Sequence, residues 1–328
     1  MRDQVSRKNA VCVGAISLCA MLAGTSAQAA DVWKFGVVEA KGDAGILFMP
    51  EKFGEKYGIE IQMLEFASST TPVKALISGQ LDAFTTSPSV SLTAMSRGAK
   101  LKFIGCNWPG ATYTLYGAPD VKTLADLKGK SVGISGPGSM PDLFTRVVLD
   151  KAGMKPADVV FANAGGGSDR FKSLLAGVVK ATATSSEFEP EAQKRGFNIL
   201  AQAHKDAPNL SRNCLVTTDK IIETRRDGLV KFLAANIDGT RYAMSHREET
   251  IALSTKVAKL APEDTSPAFI FDEATAQKNI DPDFGIPTDK LQWIEGVLAA
   301  SDSVDSNMDV KAFIDDKPRL DALKLIKP

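Results

Sequence analysis

Residues 129–153 read GKSVGISGPGSMPDLFTRVVLDKAG, and the reading of this stretch decides the fold. Val132 and Ile134 lie in a short run bounded by Gly129 and Gly136, the pattern of a buried strand over residues 131–135. Gly136-Pro137-Gly138 breaks that strand. Ser139 then suits a helix N-cap, Pro141 suits the first turn, and Asp142 complements the positive end of the helix dipole. Leu143, Phe144, Val147, Val148 and Ala152 follow at helical spacing until Gly153 stops the helix. The unit is strand, glycine turn, helix, and such a helix start favours an anion or a hydrogen-bond acceptor. It is not a phosphate loop, because no Lys-Ser/Thr follows the glycines, and the spacing is not that of a dinucleotide fingerprint.

Working outward, the chain makes this unit repeatedly. Upstream, strands are expected at 33–38, 59–66, 81–85 and 101–106, alternating with helices at 44–56 (bent near Pro50), 70–77 and 87–97. Downstream of residue 130 the order returns: strands at 131–135, 159–162, 178–182 and 198–201, with helices at 139–152, 168–176 and 187–195. The offset is roughly a hundred residues throughout, longer than the period of a solenoid. Strands alternating with helices predict parallel sheets covered on both faces, so two α/β lobes. The lobes would be joined by two crossings, at 106–119 and 212–217. Beyond residue 217 long amphipathic helices are expected at 220–244, 247–259 and 288–299, with Leu229, Phe232, Leu233 and Ile237 on one face of the first. The domain reading is a first lobe over 30–119, a second over 120–211, and a return to the first lobe with extra C-terminal helices over 212–328.

Residues 1–29 read as a signal peptide. Arg2, Arg7 and Lys8 form a basic start, the apolar run 10–24 is too short to span a bilayer comfortably, and Ala27-Gln28-Ala29 is a cleavage site. Cleavage near Ala29 removes Cys12 and Cys19 and delivers the chain to the periplasm. The remaining Cys106 and Cys214 sit in apolar, strand-like runs; burial alone explains both, and the sequence leaves their pairing open.

With 39 basic and 39 acidic side chains, nothing points to nucleic acid or an anionic membrane as partner. The chain has 2 histidines, His204 and His246, neither near a strand end of the repeated units. No His, Cys, Asp or Glu cluster has metal-ligand spacing, and no serine sits in a nucleophile elbow, so neither catalysis nor a cofactor is expected. What recurs is small polar residues just beyond strand ends, where α/β sheets bind ligands. They include Lys41, Gly42 and Asp43; Ser68 and Ser69; Thr85, Thr86 and Ser87; Gly138 and Ser139; Ser168; and Ser186. Asn107 and Trp108 follow the first crossing, and Trp108 with Phe188 is expected to flank an apolar portion of the ligand.

Three stretches carry a family resemblance: Ala75-Leu76-Ile77-Ser78-Gly79-Gln80-Leu81-Asp82-Ala83, residues 124–133 followed by Gly138-Ser139, and residues 170–183. On these the chain resembles the periplasmic solute-binding proteins of nitrate/sulfonate/taurine-type ABC importers, a group that includes thiamine-precursor binders. The resemblance implies the type II periplasmic binding protein fold, in which two α/β lobes close on a solute across a two-crossing hinge. It also implies ligand contacts at Lys41, Gly42, Asp43, Ser68, Ser69, Thr85, Thr86, Ser87, Asn107, Gly138, Ser139 and Met140. Where many sulfonate binders carry Trp-Asp-Pro, this chain reads Phe188-Glu189-Pro190. The expectation is a monomeric binding protein that captures a small organic anion, a sulfonate or carboxylate, and delivers it to the membrane subunits of an ABC importer. The rivals are a receptor for a signalling partner, which neighbouring genes would reveal, and a secreted enzyme on the same fold, which ligand turnover would reveal.

Overall fold

The computed structural model describes residues 31–38, 41–67, 69–301, 303–305 and 308–326. The expected signal peptide lies outside them, as does Ser68. Strand β1 (Asp31–Val38) is followed by α1 (Ala44–Phe48), β2 (Ile59–Phe66), α2 (Thr71–Ile77), β3 (Ala83–Thr86), α3 (Pro88–Ser96) and β4 (Leu101–Trp108). The chain then crosses to β5 (Tyr113–Gly117), β6 (Ser131–Ile134), α4 (Met140–Lys151), β7 (Val160–Asn163), α5 (Gly167–Leu175), β8 (Ala181–Ser185), α6 (Glu189–Lys194), β9 (Asn198–Gln202) and α7 (Ala203–Asp206). It returns through β10 (Asn213–Thr218) and ends in α8 (Asp219–Thr224), α9 (Arg226–Ser245), α10 (Arg247–Val257), α11 (Ser266–Ala276), α12 (Thr288–Ala300) and α13 (Lys317–Ile326).

Two five-stranded sheets result, ordered β2-β1-β3-β10-β4 and β7-β6-β8-β5-β9. The orders correspond position for position, with one correction to the expected parallel sheets. In each sheet the fourth strand is antiparallel to its neighbours, β10 in the first and β5 in the second. The physical reason lies in the crossings. Each carries the chain over at the carboxyl ends of the parallel strands, so the strand it feeds must run backwards: Tyr113 pairs with Ser185, and Cys214 pairs with Thr86.

Burial follows strand position. Along β2, an edge strand, Ile59 and Ile61 are buried while Glu60 and Gln62 are exposed. In the interior strands β3 (Ala-Phe-Thr-Thr) and β8 (Ala-Thr-Ala-Thr-Ser) every residue is buried, and both are built from small or β-branched side chains with one Phe. The expected strand 178–182 shifts to Ala181–Ser185 because Gly177, at φ 74°, closes the preceding helix, leaving Val178 exposed. The helix expected over 44–56 survives only to Phe48. Pro50 lacks the N–H that would continue it, and the chain proceeds in two 3₁₀ turns, Met49–Phe53 and Glu55–Tyr57. The helix expected over 220–244 divides at Arg225, whose guanidinium reaches back 2.5 Å to both Asp31 and Asp82. Helices α11 and α13 were not expected.

The long helix α9 lies against the first sheet, where Phe232 stacks on Trp33 at 5.0 Å between ring centroids and meets Phe35 edge-on at 5.1 Å. Full burial of one such ring stabilises by about 1.5–3 kcal/mol. Helix α10 packs on α1, with the Gly45 N–H donating to Ser254 Oγ at 2.7 Å. Helix α12 touches both α3 and α4, one from each half of the repeat. Cys106 of β4 and Cys214 of β10 form a disulfide across this antiparallel pair, 108 residues apart in sequence, so burial was not the whole explanation of the two cysteines.

Candidate functional site

The carboxyl ends of β1, β3, β6 and β8 face one another across a cavity of about 80 Å³. The first half supplies Lys41 and Asp43 from the loop after β1, Ser69 from the loop after β2, and Thr86 with Ser87 from the end of β3. The second half supplies Met140 at the start of α4, Ser168 at the start of α5, and Phe188 beyond β8. These are expected positions. Ser185, in the strand-end loop expected over 184–186, lines it too, and each half adds groups that strand-end reasoning did not single out: Arg212 and Asn213 at the start of β10, Tyr113 at the start of β5, and Ser135, Arg170 and Glu187.

Arg170 is the decisive addition. It sits on α5 and is only 2 % exposed. Its Nε donates to the Ala183 carbonyl at 3.0 Å, one Nη donates to the Gly165 carbonyl at 2.8 Å and to the Ser135 hydroxyl, and the other reaches the Tyr113 hydroxyl at 3.4 Å. All four acceptors are neutral, and no carboxylate among the described residues pairs with it. A buried guanidinium held only by neutral oxygens is short of a counter-charge. Arg212, by contrast, is paired with the buried Asp43, donates to the Thr112 hydroxyl, and lies 4.6 Å above the Trp108 ring. Lys41 stands 4.9 Å over the face of Phe188, whose other face stacks on Phe171 at 4.4 Å.

Two hydroxyls, Thr86 Oγ1 and Ser185 Oγ, line the cavity buried and without a hydrogen-bond partner among the described residues. Buried polar groups in proteins are almost always satisfied, so these two mark where a polar solute would be held. Glu187 reaches across from the second half and accepts the Gly42 N–H at 2.8 Å. Burial first, and the charge of Asp43 second, push its carboxyl from the ordinary 4.5 up to about 7. With Asp43 paired to Arg212 and burial favouring the neutral acid of Glu187, Lys41 and Arg170 are the cations without an acidic partner among the described lining residues.

The other expected residues do not line it. Gly42 serves Glu187 through its backbone, and a Cβ there would collide with that carboxylate. Thr85 points to Asn107, its hydroxyl 3.5 Å from Oδ1, both being inside the first sheet. Trp108 is fully buried among Ala44, Leu47 and Ile270, so it is a core ring beneath Arg212 rather than a wall for ligand. Gly138 has the positive φ of 73° that its turn requires, and its N–H goes to Asp142 Oδ2 at 2.8 Å. Ser139 is fully buried; its hydroxyl donates to the Gly136 carbonyl at 2.6 Å, closing the turn. Ser186 donates to Glu273 of α11.

Comparison with known proteins agrees with this fold. Residues 51–250 match the family model described as NMT1/THI5 like. The chain belongs to this family. Among solved structures, similarity of fold extends over nearly the whole chain. The alkanesulfonate-binding protein SsuA of Xanthomonas axonopodis pv. citri bound to MOPS superposes with a TM-score of 0.73 at 17% identity, covering 87% of this chain and 98% of that one. The periplasmic nitrate-binding protein NrtA of Synechocystis PCC 6803 also gives 0.73, at 16% identity over 91% and 90% of the two chains. At these identities the likeness is one of fold. A curated Brucella abortus (strain 2308) relative, a binding protein by name, is 30% identical over 130 residues, which is 40% of this chain. That match spans only 38% of the relative's own length.

Proposed function

We propose that this chain is an exported solute-binding protein that captures a small organic anion, a sulfonate or carboxylate, and delivers it to an ABC importer. The observation that carries the reading is Arg170, a buried cation with no carboxylate partner among the described residues, facing a cavity between two sheets. An acidic group placed there receives charge-assisted hydrogen bonds from a guanidinium already oriented by four neutral acceptors. Thr86, Ser185 and Ser168 add hydroxyls around it, Lys41 adds a second positive charge, and Phe188 with Met140 takes an apolar stub. Solute bridging the two halves favours the closed arrangement through the contacts it gains there. The family membership and the fold shared with periplasmic proteins support export and delivery to an importer.

The test is a thermal-shift screen of ethanesulfonate, taurine, nitrate and short carboxylates, followed by calorimetry on wild type and Arg170→Lys. A bound anion stabilises the folded chain in proportion to its saturation. Arg170→Lys keeps the charge and loses the planar fork, so it should bind at least tenfold more weakly. A neutral solute that binds tightly, or equal anion binding by the variant, would remove the reading.

A further inference from the structure

One carboxyl of the second half is seated directly on the backbone of the first. Glu187, on the second half, is 7% exposed and is seated against the loop after β1 on the first half, where it accepts the Gly42 N–H at 2.8 Å. That loop also carries Asp43, which is 2% exposed. Bringing the halves together therefore buries a second carboxyl beside a first. We propose that Glu187 is a proton-operated latch, so that the cleft closes with uptake of a proton by this carboxyl and closes more readily as pH falls. The proposal rests on the two-lobe closing motion of the function proposed above, and it adds the condition under which that motion is favoured.

The argument is one of charge and solvation. In the parted arrangement Glu187 faces water and behaves as an ordinary carboxylate. On closing it loses water and meets Asp43, and both changes penalise the ionised form. The opposing charges are Lys41, on the same loop, and Arg212 from the start of β10. Arg212 is already engaged by Asp43, and Lys41 lies over the Phe188 ring, so neither is a dedicated partner for Glu187. Arg170 lines the same cavity, but its guanidinium is directed at the neutral oxygens of Ala183, Gly165, Ser135 and Tyr113 and forms no ion pair with Glu187. Glu189 lies on the same segment, Glu273 faces Ser186 from α11, and Tyr116 of β5 is deeply buried with its hydroxyl on the Ser185 carbonyl. The Gly42 N–H is satisfied by the neutral acid as well as by the carboxylate, so the latch contact survives protonation.

The sign follows from linkage. The closed form holds Glu187 at about 7 and the open form at the ordinary 4.5, so the closed form binds more protons between those values. Across that window the closed-to-open ratio falls about tenfold per pH unit as pH rises. The closing advantage is full below 4.5 and lost above about 7.

The test uses the full chain without added solute, spin-labelled at Glu60→Cys and Lys172→Cys, two exposed positions on opposite halves, with inter-label distances measured by pulsed electron resonance from pH 5 to 8.5. The short-distance population is expected to grow as pH falls in the wild-type background and to be large at every pH in Glu187→Gln. A pH-independent wild-type distribution, or a Glu187→Gln profile matching wild type, would overturn the latch. Should Glu187→Gln fail to fold by circular dichroism, Asp43→Asn carries the test: its profile is expected at lower pH, and an unshifted profile overturns the proposal. Calorimetric titration with ethanesulfonate on the same samples keeps the two readings apart. No anion binding with the pH profile intact removes the anion reading alone; binding with a flat profile removes the latch alone.

Discussion

Thr86 and Ser185 occupy matching places, one ending β3 and the other ending β8, and both present to the same cavity buried hydroxyls without a partner among the described residues. The correspondence makes a clean prediction. Removing a hydroxyl with no partner among the described residues costs the fold little, whereas removing one that bonds a solute costs affinity. Thr86→Val and Ser185→Ala are each expected to weaken anion binding by about 0.5–1.5 kcal/mol, or more against a charged group, with unchanged or raised melting temperature in the absence of solute. Calorimetry beside melting curves checks this; a lowered melting temperature with full affinity would contradict it.

Arg170 should behave differently, since it is both a structural donor and the proposed anion partner. Arg170→Met removes four hydrogen bonds to the chain along with the charge. Anion affinity is expected to fall by about 2–5 kcal/mol, the scale for truncating one side of a buried charge pair. Stability should fall as well, so denaturant unfolding must accompany the binding titration, and Arg170→Lys separates the two effects.

Gly42 is a position where the contact between the two halves leaves no room for a side chain, because a Cβ would meet the Glu187 carboxylate and the Ser266 carbonyl. Gly42→Ala is expected to leave the melting transition nearly intact while weakening solute binding at least tenfold, since the halves can no longer meet at that point. Equal binding by the variant would show that closure does not use this contact.

Ser139 yields the opposite expectation. Its hydroxyl is spent on Gly136, and the nearby Asp142 is already buried while serving Gly138 and Arg146. Ser139→Asp would bury a second carboxylate beside it, so the expected outcome is a large loss of stability, measurable by thermal unfolding, before any effect on binding.

Local sequence was enough for part of this structure. The strand–turn–helix unit at 129–153 and its repetition about a hundred residues apart carried the two-lobe architecture, because glycine turns and apolar periodicity are local properties. The loops after β1 and β3 were likewise legible as cleft-forming, and Lys41, Asp43, Thr86 and Ser87 do line the cavity. Arg170 was hidden because it lies inside a helix, where its charge reads as a solvated face; only the tertiary fold turns it inward. Arg212 and Tyr113 were hidden because β5 and β10 run antiparallel, which places strand beginnings, rather than ends, at the cleft. Trp108 misled for the converse reason: a large aromatic next to a crossing looks like a wall, yet the core beneath the crossing absorbs it.

The bond between Cys106 and Cys214 is also a test of the fold's energetics. Closing about a hundred residues in the unfolded chain is worth roughly 4–5 kcal/mol in the entropy model, and less in most measurements. Cys106→Ser with Cys214→Ser is expected to lower the unfolding free energy by about 2–4 kcal/mol, read from denaturant curves with and without reductant.

That same bond has a topological consequence. Between its two sulfurs runs every strand of the second sheet, β5 through β9, so the disulfide makes that entire half a covalent ring fastened to the first sheet at a single clasp. A protease that cuts the ring once, anywhere along it, opens a loop but frees no fragment. The nicked molecule keeps its mass and both halves of its cleft until a reductant undoes the clasp. In an oxidising compartment, damage to the second half is therefore retained in place rather than shed.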